Sequence, residues 1–509
     1  MSESADPHHG YDLNSHPFDP SVVSRDILET NHPPLESQIP SIREFIAGAR
    51  ARRIAIDAEI ASLQSSLDPL VKERQALDLA IGQHIGAVSP LRRIPPEILC
   101  SIFAFTLPAR KDARKYLETA PWGVSAVCDR WRTIVLYDPS FWTYIRLVFP
   151  DEGITRFRLE THLRRSGALP LTITFECGVQ EFYTTQEISM LNILAQHSTR
   201  WEMLSFSGPY SALQYRSLHF PLLHELTIEM LYDDDDRPDD DDDDIPGLNF
   251  DNAPSLRRVT VNKGLWNFPV AMALPWSKVL QYGGSNTWAG HIHSLQSAAN
   301  LVDCSLEIVT DIGDILMPRT PIILPRLLRL SLSDVDFLEC LEAPILRELY
   351  CVPPAPALLA FLRRHSQRRT LQKLVLWEGQ ETVETSDLVD IMDAVPTLLE
   401  LGMMIPLPVG FARLLCSRLD MAPALEFISA TLPADIGGLH DQFTQAVELR
   451  WHASQLKGVK VYCPQFSSDS FTRMQLLHAR GMDFMVYRPS FQLQVEHLVP
   501  KDHGIETEY

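Results

Sequence analysis

The sequence predicts an α/β protein in two parts. An all-helical N-terminal part, a long helix and then a three-helix unit, is followed by an irregular α/β solenoid. Three observations carry this reading. Between residues 41 and 88 apolar side chains recur in steps of four and three, as on a helix with a heptad seam. Between residues 95 and 142 two shorter helical stripes lie beside prolines that suit helix starts and stops. After Trp142 a short strand-like core with apolar residues two apart, often led by Pro and Leu, returns down the chain, as repeated units do.

Residues 1–40 are rich in Pro, His, Ser and Asp and predict a disordered tail. His8, His9 and His16 belong to that tail, not to a metal cluster. The seam then runs Ile42, Ile46, Ala49, Arg53, Ile56, Ile60, Leu63, Leu67, Leu70, Arg74, Leu77, Ile81, His84, Val88, broken only by Arg53, Arg74 and His84. Pro69, preceded by Asp68, interrupts the helix chemically. The seam nevertheless keeps phase from Leu67 to Leu70, which predicts a kink over two separate helices. Two readings of 41–88 stand side by side: a coiled-coil homodimer, and a helix that lays its seam on its own chain.

In residues 89–146, Pro95 and Pro96 suit a first helical turn, and Glu97 suits the positive end of the helix dipole. Ile98, Leu99, Ile102, Phe103 and Phe105 give one apolar face. Val124, Val127, Cys128 and Trp131 predict a second helix continuing to Ile134 and Val135, stopped at Asp138-Pro139. So short a unit cannot bury all this surface alone, so the surplus is expected to face another helical protein.

The same residues resemble the F-box. Its pattern is matched by Ile94, Pro95, Glu97, Ile98, Leu99, Ile102 and Phe103, then Val127, Cys128, Arg130 and Trp131, then Pro139, Phe141 and Trp142. Two positions depart from it: Ile94 stands for the usual Leu, which conserves volume, and Asp129 stands where a basic residue is common. A long helix leading into this segment also looks like the arrangement of the large F-box families of mushroom-forming fungi. The resemblance implies that Ile94, Pro95, Ile98, Leu99, Ile102 and Phe103 enter a Skp-type adaptor of a cullin ubiquitin ligase. It implies that Val127, Cys128, Trp131 and Trp142 hold the F-box helices together, and that the rest of the chain recruits an unidentified target protein.

For residues 147–509, anchoring each strand on its first apolar position gives Leu204, Leu226, Val259, Tyr282, Cys304, Leu330, Leu349, Leu374, Leu401, Phe427 and Val459. Most intervals lie near the leucine-rich-repeat period of about 20 to 29 residues. Helical stretches fill several gaps, at 357–366, 386–395, 409–419, 440–453 and 470–481. The pattern resembles degenerate leucine-rich repeats, a leucine-rich-repeat-like α/β solenoid. It departs where Gly264, Val335 and Gly379 replace the Asn ladder, which implies irregular curvature. A doubly wound sheet is disfavoured, since no strand leads into a G-x-G-x-x-G turn. Alternation along the strands points Thr227, Thr260, Ser331, Tyr350, Val375 and Lys460 outward onto the inner face. Tyr350 and the nearby Trp377 are the expected anchors for the target.

The formal net charge is −20, and residues 233–244 contribute ten Asp and one Arg. Without a central Gly or closing Glu this run is no calcium loop and predicts a solvated insertion. The acidic balance disfavours nucleic acid, and no apolar run approaches bilayer length. The eight cysteines are scattered in apolar neighbourhoods. They predict buried free thiols and a cytoplasmic or nuclear setting. His291 and His293 read as a turn-like pair without metal-ligand companions, and Gly283-Gly284 and Gly437-Gly438 as turns. No catalytic constellation, metal or cofactor is expected. The function expected is that of a protein–protein adaptor without catalysis; the alternative is a dimeric structural scaffold not coupled to ubiquitination.

Overall fold

The computed structural model describes residues 27, 32–106, 121–149, 156–177, 185–209, 218–231, 248–263, 272–309, 320–353, 356–366, 370–377, 383–453 and 455–487. Most of the expected tail 1–40, the acidic run 233–244, Gly264 and Gly379 lie outside them. The chain divides into two compact units, residues 1–99 and 100–509.

In the first unit helix α1, Ile39–Val88, is a single helix with Pro69 inside it. None of its residues is buried. Leu63, Leu67, Leu70, Leu77 and Ile81 are all more than half exposed. A four-residue 3₁₀ turn, Pro90–Arg93, leads to helix α2, Pro96–Thr106, which crosses the division between the units.

In the second unit the expected continuous helix is broken. Cys128 is extended (φ −161°, ψ 168°) between α3, Trp122–Val127, and α4, Asp129–Tyr137. Asp129 opens α4, where a carboxylate meets the positive helix end. Asp138 ends α4 and caps the next turn, accepting from the Ser140 amide at 3.0 Å.

A 14-stranded sheet follows, every neighbouring pair parallel and every strand in chain order. Its strands are β1 (Tyr144–Phe149), β2 (Leu171–Cys177), β3 (Trp201–Pro209), β4 (Glu225–Leu231), β5 (Arg258–Lys263), β6 (Gln281–Asn286) and β7 (Asp303–Ile308). They continue with β8 (Arg329–Leu332), β9 (Glu348–Cys351), β10 (Lys373–Leu376), β11 (Glu400–Pro406), β12 (Phe427–Thr431), β13 (Gly458–Tyr462) and β14 (Asp483–Tyr487). Parallel neighbours need crossovers. Toward the C-terminus these are helices Pro356–Ser366, Thr385–Ala394, Val409–Ser417, Leu439–His452 and Ser468–His478. The result is a mixed α/β protein with a long N-terminal helix and a many-stranded parallel sheet, solenoid-like in its sequential order.

One row of the sheet is buried from β2 to β13: Ile173, Leu204, Leu226, Val259, Tyr282, Cys304, Leu330, Leu349, Leu374, Leu401, Ile428 and Val459 belong to a single apolar core, and Phe484 on β14 is half buried against it. Helix residues such as Leu358, Phe361, Leu388, Phe411, Phe443 and Met474 complete it. Phe427 is not in that row. It stands one residue out of phase and is 37% exposed. Arg450 is fully buried and its Nη2 donates to the carbonyls of Arg418 (3.0 Å) and Met421 (3.1 Å), tying two crossovers together.

Three expectations are corrected here. Gly283 and Gly284 lie inside β6, not in a turn. Residues 288–296 form a helix, capped by Thr287, whose side chain accepts from the Gly290 amide at 3.2 Å. Cys128 is exposed and Cys100 and Cys416 only half buried, while the other five free thiols are buried. Gly437 and Gly438 do form a turn, with φ of 65° and 73°.

Candidate functional site

Helix α2 is apolar on two sides, and its spacing separates them. Leu99 and Phe103, four apart, are buried (1% and 2% exposed). The Phe103 ring lies 4.7 Å from Trp131 and 6.4 Å from Phe141. Ile98, Ile102 and Phe105, at i, i+4 and i+7, form a second stripe that is 51%, 42% and 91% exposed. Ile94 is half buried and Pro95 exposed. Of the six residues expected to meet an adaptor, Leu99 and Phe103 are therefore corrected to interior positions, where the chain's own aromatic rings occupy Phe103. Phe105 joins the bare stripe instead.

The expected internal residues also divide. Trp142 is fully buried and its Nε1 donates to the Val135 carbonyl at 2.8 Å. Trp131 is half buried against Phe103. Val127 is 60% exposed and Cys128 is exposed, because the chain leaves the helix there. Neither holds the unit together.

Trp142 also packs the three-helix segment against the start of the sheet region. It packs edge-on against Trp122 (5.3 Å) and His162 (5.1 Å), with the Arg165 guanidinium 5.0 Å over its ring. His162 sits on helix Arg156–Arg165 and accepts from Trp122 Nε1 at 3.2 Å. Burial pushes the His162 imidazole down to about 4, aided by the Arg158 charge. It is neutral at physiological pH. Sequence reasoning missed this cluster, since nothing local links residues 122, 142 and 162.

The second surface is the face of the sheet opposite the core. The register aligns Thr227, Thr260, Ser331, Tyr350, Val375 and Lys460 in one continuous row, through Gly283, Ser305, Gly402 and Ser429. Not all of it is open. Ser331, Tyr350 and Val375 are 6%, 2% and 0% exposed, so their outward assignment is corrected, while Thr227, Thr260 and Lys460 are half buried. Tyr350, Val375 and Tyr462 form a small cluster of their own, with Trp377, Met404 and Tyr487 packed against it. Tyr350 and Val375 are neighbours in the row, and large side chains two residues further along their strands, such as Trp377, shield them.

Beside this row runs a largely charged one, made by the residue before the apolar anchor on seven strands: Glu225, Arg258, Asp303, Arg329, Glu348, Lys373 and Glu400. Glu225 pairs with Arg258, Asp303 with Arg329 at 2.6 Å, and Lys373 with Glu400 at 3.0 Å. Tyr350 donates to Glu348 at 2.8 Å under the Lys373 ammonium, 5.6 Å from its ring centre. Burial, and then that bond to a carboxylate, push the Tyr350 hydroxyl up.

His291, far from being on a turn, is fully buried. Its Nδ1 lies 3.1 Å from Tyr282 Oη and its Nε2 3.1 Å from the Glu307 carbonyl. Burial pushes the Cys351 thiol up to about 12, which keeps it protonated and unreactive. Among the described residues no group of three or more His, Cys, Asp or Glu is placed to hold a metal ion. Among them, too, no helix is long and apolar enough to cross a membrane.

No protein-family profile matches the chain, and no curated protein matches it. Among solved structures, a crystal structure of a Bacteroides fragilis protein from a structural-genomics programme is similar at 12% identity and a TM-score of 0.24. The match covers 66% of this chain and 70% of that one. Such a likeness carries no argument about function.

Proposed function

We propose that the chain is an F-box-type substrate receptor. It couples a target protein, held by the solenoid-like part, to a Skp-type adaptor and through it to a cullin ubiquitin ligase, in the cytosol or nucleus. It supplies geometry and makes no bonds itself. The observation that carries this reading is the bare Ile98–Ile102–Phe105 stripe, on a helix whose opposite face is already occupied. Fully covering one such side chain is worth about 1.5–3 kcal/mol, so a partner helix has a strong reason to settle there. The target would meet the sheet face carrying Thr227, Thr260 and Lys460, with Trp377 at its edge.

The test is co-purification of the full chain with a Skp-type adaptor. Replacing Ile98→Asp and Ile102→Asp places two unpaired carboxylates at the contact. It is expected to weaken adaptor binding by about 100-fold or more. Both side chains are exposed, so the melting temperature should not move. Adaptor retained at full strength by the double variant removes the docking assignment. A wild-type chain that retains no adaptor favours the second reading, a dimeric structural scaffold, for which the unburied seam of α1 speaks.

A further inference from the structure

The seam of α1 carries a charge pattern that selects both a partner and an orientation. Written as a heptad, Ile46, Arg53, Ile60, Leu67, Arg74 and Ile81 take the a positions; Ile42, Ala49, Ile56, Leu63, Leu70 and Leu77 take the d positions. The flanking e and g positions are cationic near the N-terminal end, at Arg43, Arg50 and Arg52. Toward the other end they are anionic, at Glu73 and Asp78. Pro69 falls at c, away from the seam. A stripe that is positive at one end and negative at the other is complementary to itself when reversed.

We infer that α1 pairs with α1 of a second copy of this chain, antiparallel. The register that sets Ile60 against Leu63 of the second copy meets every constraint. It places Ile46 on Leu77, Leu67 on Ile56 and Ile81 on Ile42. Arg53 then faces Leu70 and Arg74 faces the small Ala49, each free to carry its guanidinium to the rim. Arg53 already reaches outward, 3.9 Å from Asp57. On the flanks Arg52 meets Glu73 and Arg43 meets Asp78, each twice by symmetry, and no like charges meet. A slip of one heptad sets Glu59 against itself in one direction and against Glu73 in the other. A parallel, in-register pair sets Arg53 on Arg53, Arg74 on Arg74 and Glu73 on Asp78. The overlap of residues 39–84 is about 70 Å long at 1.5 Å per residue.

Sedimentation of the full-length protein tests this. The wild-type chain is expected to be a dimer, and Leu63→Glu a monomer with an unchanged circular dichroism spectrum, since Leu63 is 65% exposed. Glu73→Arg alone sets cation on cation at both symmetry-related Arg52 contacts and should weaken the dimer about tenfold. Arg52→Glu together with Glu73→Arg should return it to within about threefold of wild type. A monomeric wild-type chain, a Leu63→Glu dimer, or a dimer tightened by Glu73→Arg (the result for parallel helices) each overturns the inference. Adaptor binding is not among these readouts, so failure here leaves the ligase reading untouched.

Discussion

Two single residues show how much of the second unit turns on one side chain. Gly284 has φ of 130°, and a Cβ there would stand 1.9 Å from the Val261 carbonyl oxygen of the neighbouring strand. Backbone cannot withdraw as a flexible side chain can. Gly284→Ala is therefore expected to cost about 3 kcal/mol or more, read as a lower urea midpoint. Gly167→Ala, at φ 58° with open space around it, should cost only about 1 kcal/mol. Equal losses would mean that strain alone, not the close strand approach, sets the effect. His162 supplies the pH dependence. Its folded value of about 4 lies below the usual 6.5, so the unfolded chain takes up the proton first. Its contribution is complete above pH 6.5 and is lost as pH falls toward 4, by up to about 3 kcal/mol. Protonation also removes the acceptor for Trp122 Nε1. Urea midpoints measured from pH 7 to 4.5 should fall, and the His162→Gln chain should show a shallower slope; identical slopes would exclude His162 as the sensor.

At the scale of elements, neighbouring strands are clipped by charge pairs at matching register positions. The Asp303 carboxylate is 1% exposed and Arg329 faces it across the β7–β8 ladder. Replacing Arg329→Met leaves that buried carboxylate without its cation, at a cost of about 3 kcal/mol. Adding Asp303→Asn should recover much of the loss. A thermal unfolding cycle over the four chains reads the coupling, and strictly additive losses would show that the pair is not coupled. Element positions were largely legible. The five C-terminal helical stretches expected from the sequence coincide with observed helices to within two or three residues, because each alternates cleanly with a strand. Sequence pattern does not separate Phe427 from Ile428 as the buried anchor, because both are apolar in EFISA and a slip of one residue exchanges faces. The strand YIRLVF at 144–149 is not legible in the sequence because it abuts the three-helix segment without a turn signal.

For the whole molecule, the mixed α/β class, the long N-terminal helix and the many-stranded parallel sheet all followed from periodicity, which local sequence records. What periodicity does not record is the filling of the sheet's second face. Tyr350 and Val375 alternate as outward residues should, yet the bulk of Trp377, Met404, Tyr462 and Tyr487 on nearby strands closes over them. On α2 the sequence offered one apolar face, while packing divided it in two, with Phe103 going to Trp131 and Ile102 remaining bare. The strict copying of chain order into strand order has a mechanical corollary. Among the described residues no strand leans on a distant part of the chain for its lateral partners, so damage should travel only sideways, one neighbour at a time. A nick between two strands would leave a pair of stubs, each still zipped to its own kin, and melting should run inward from the ends like a fraying ribbon.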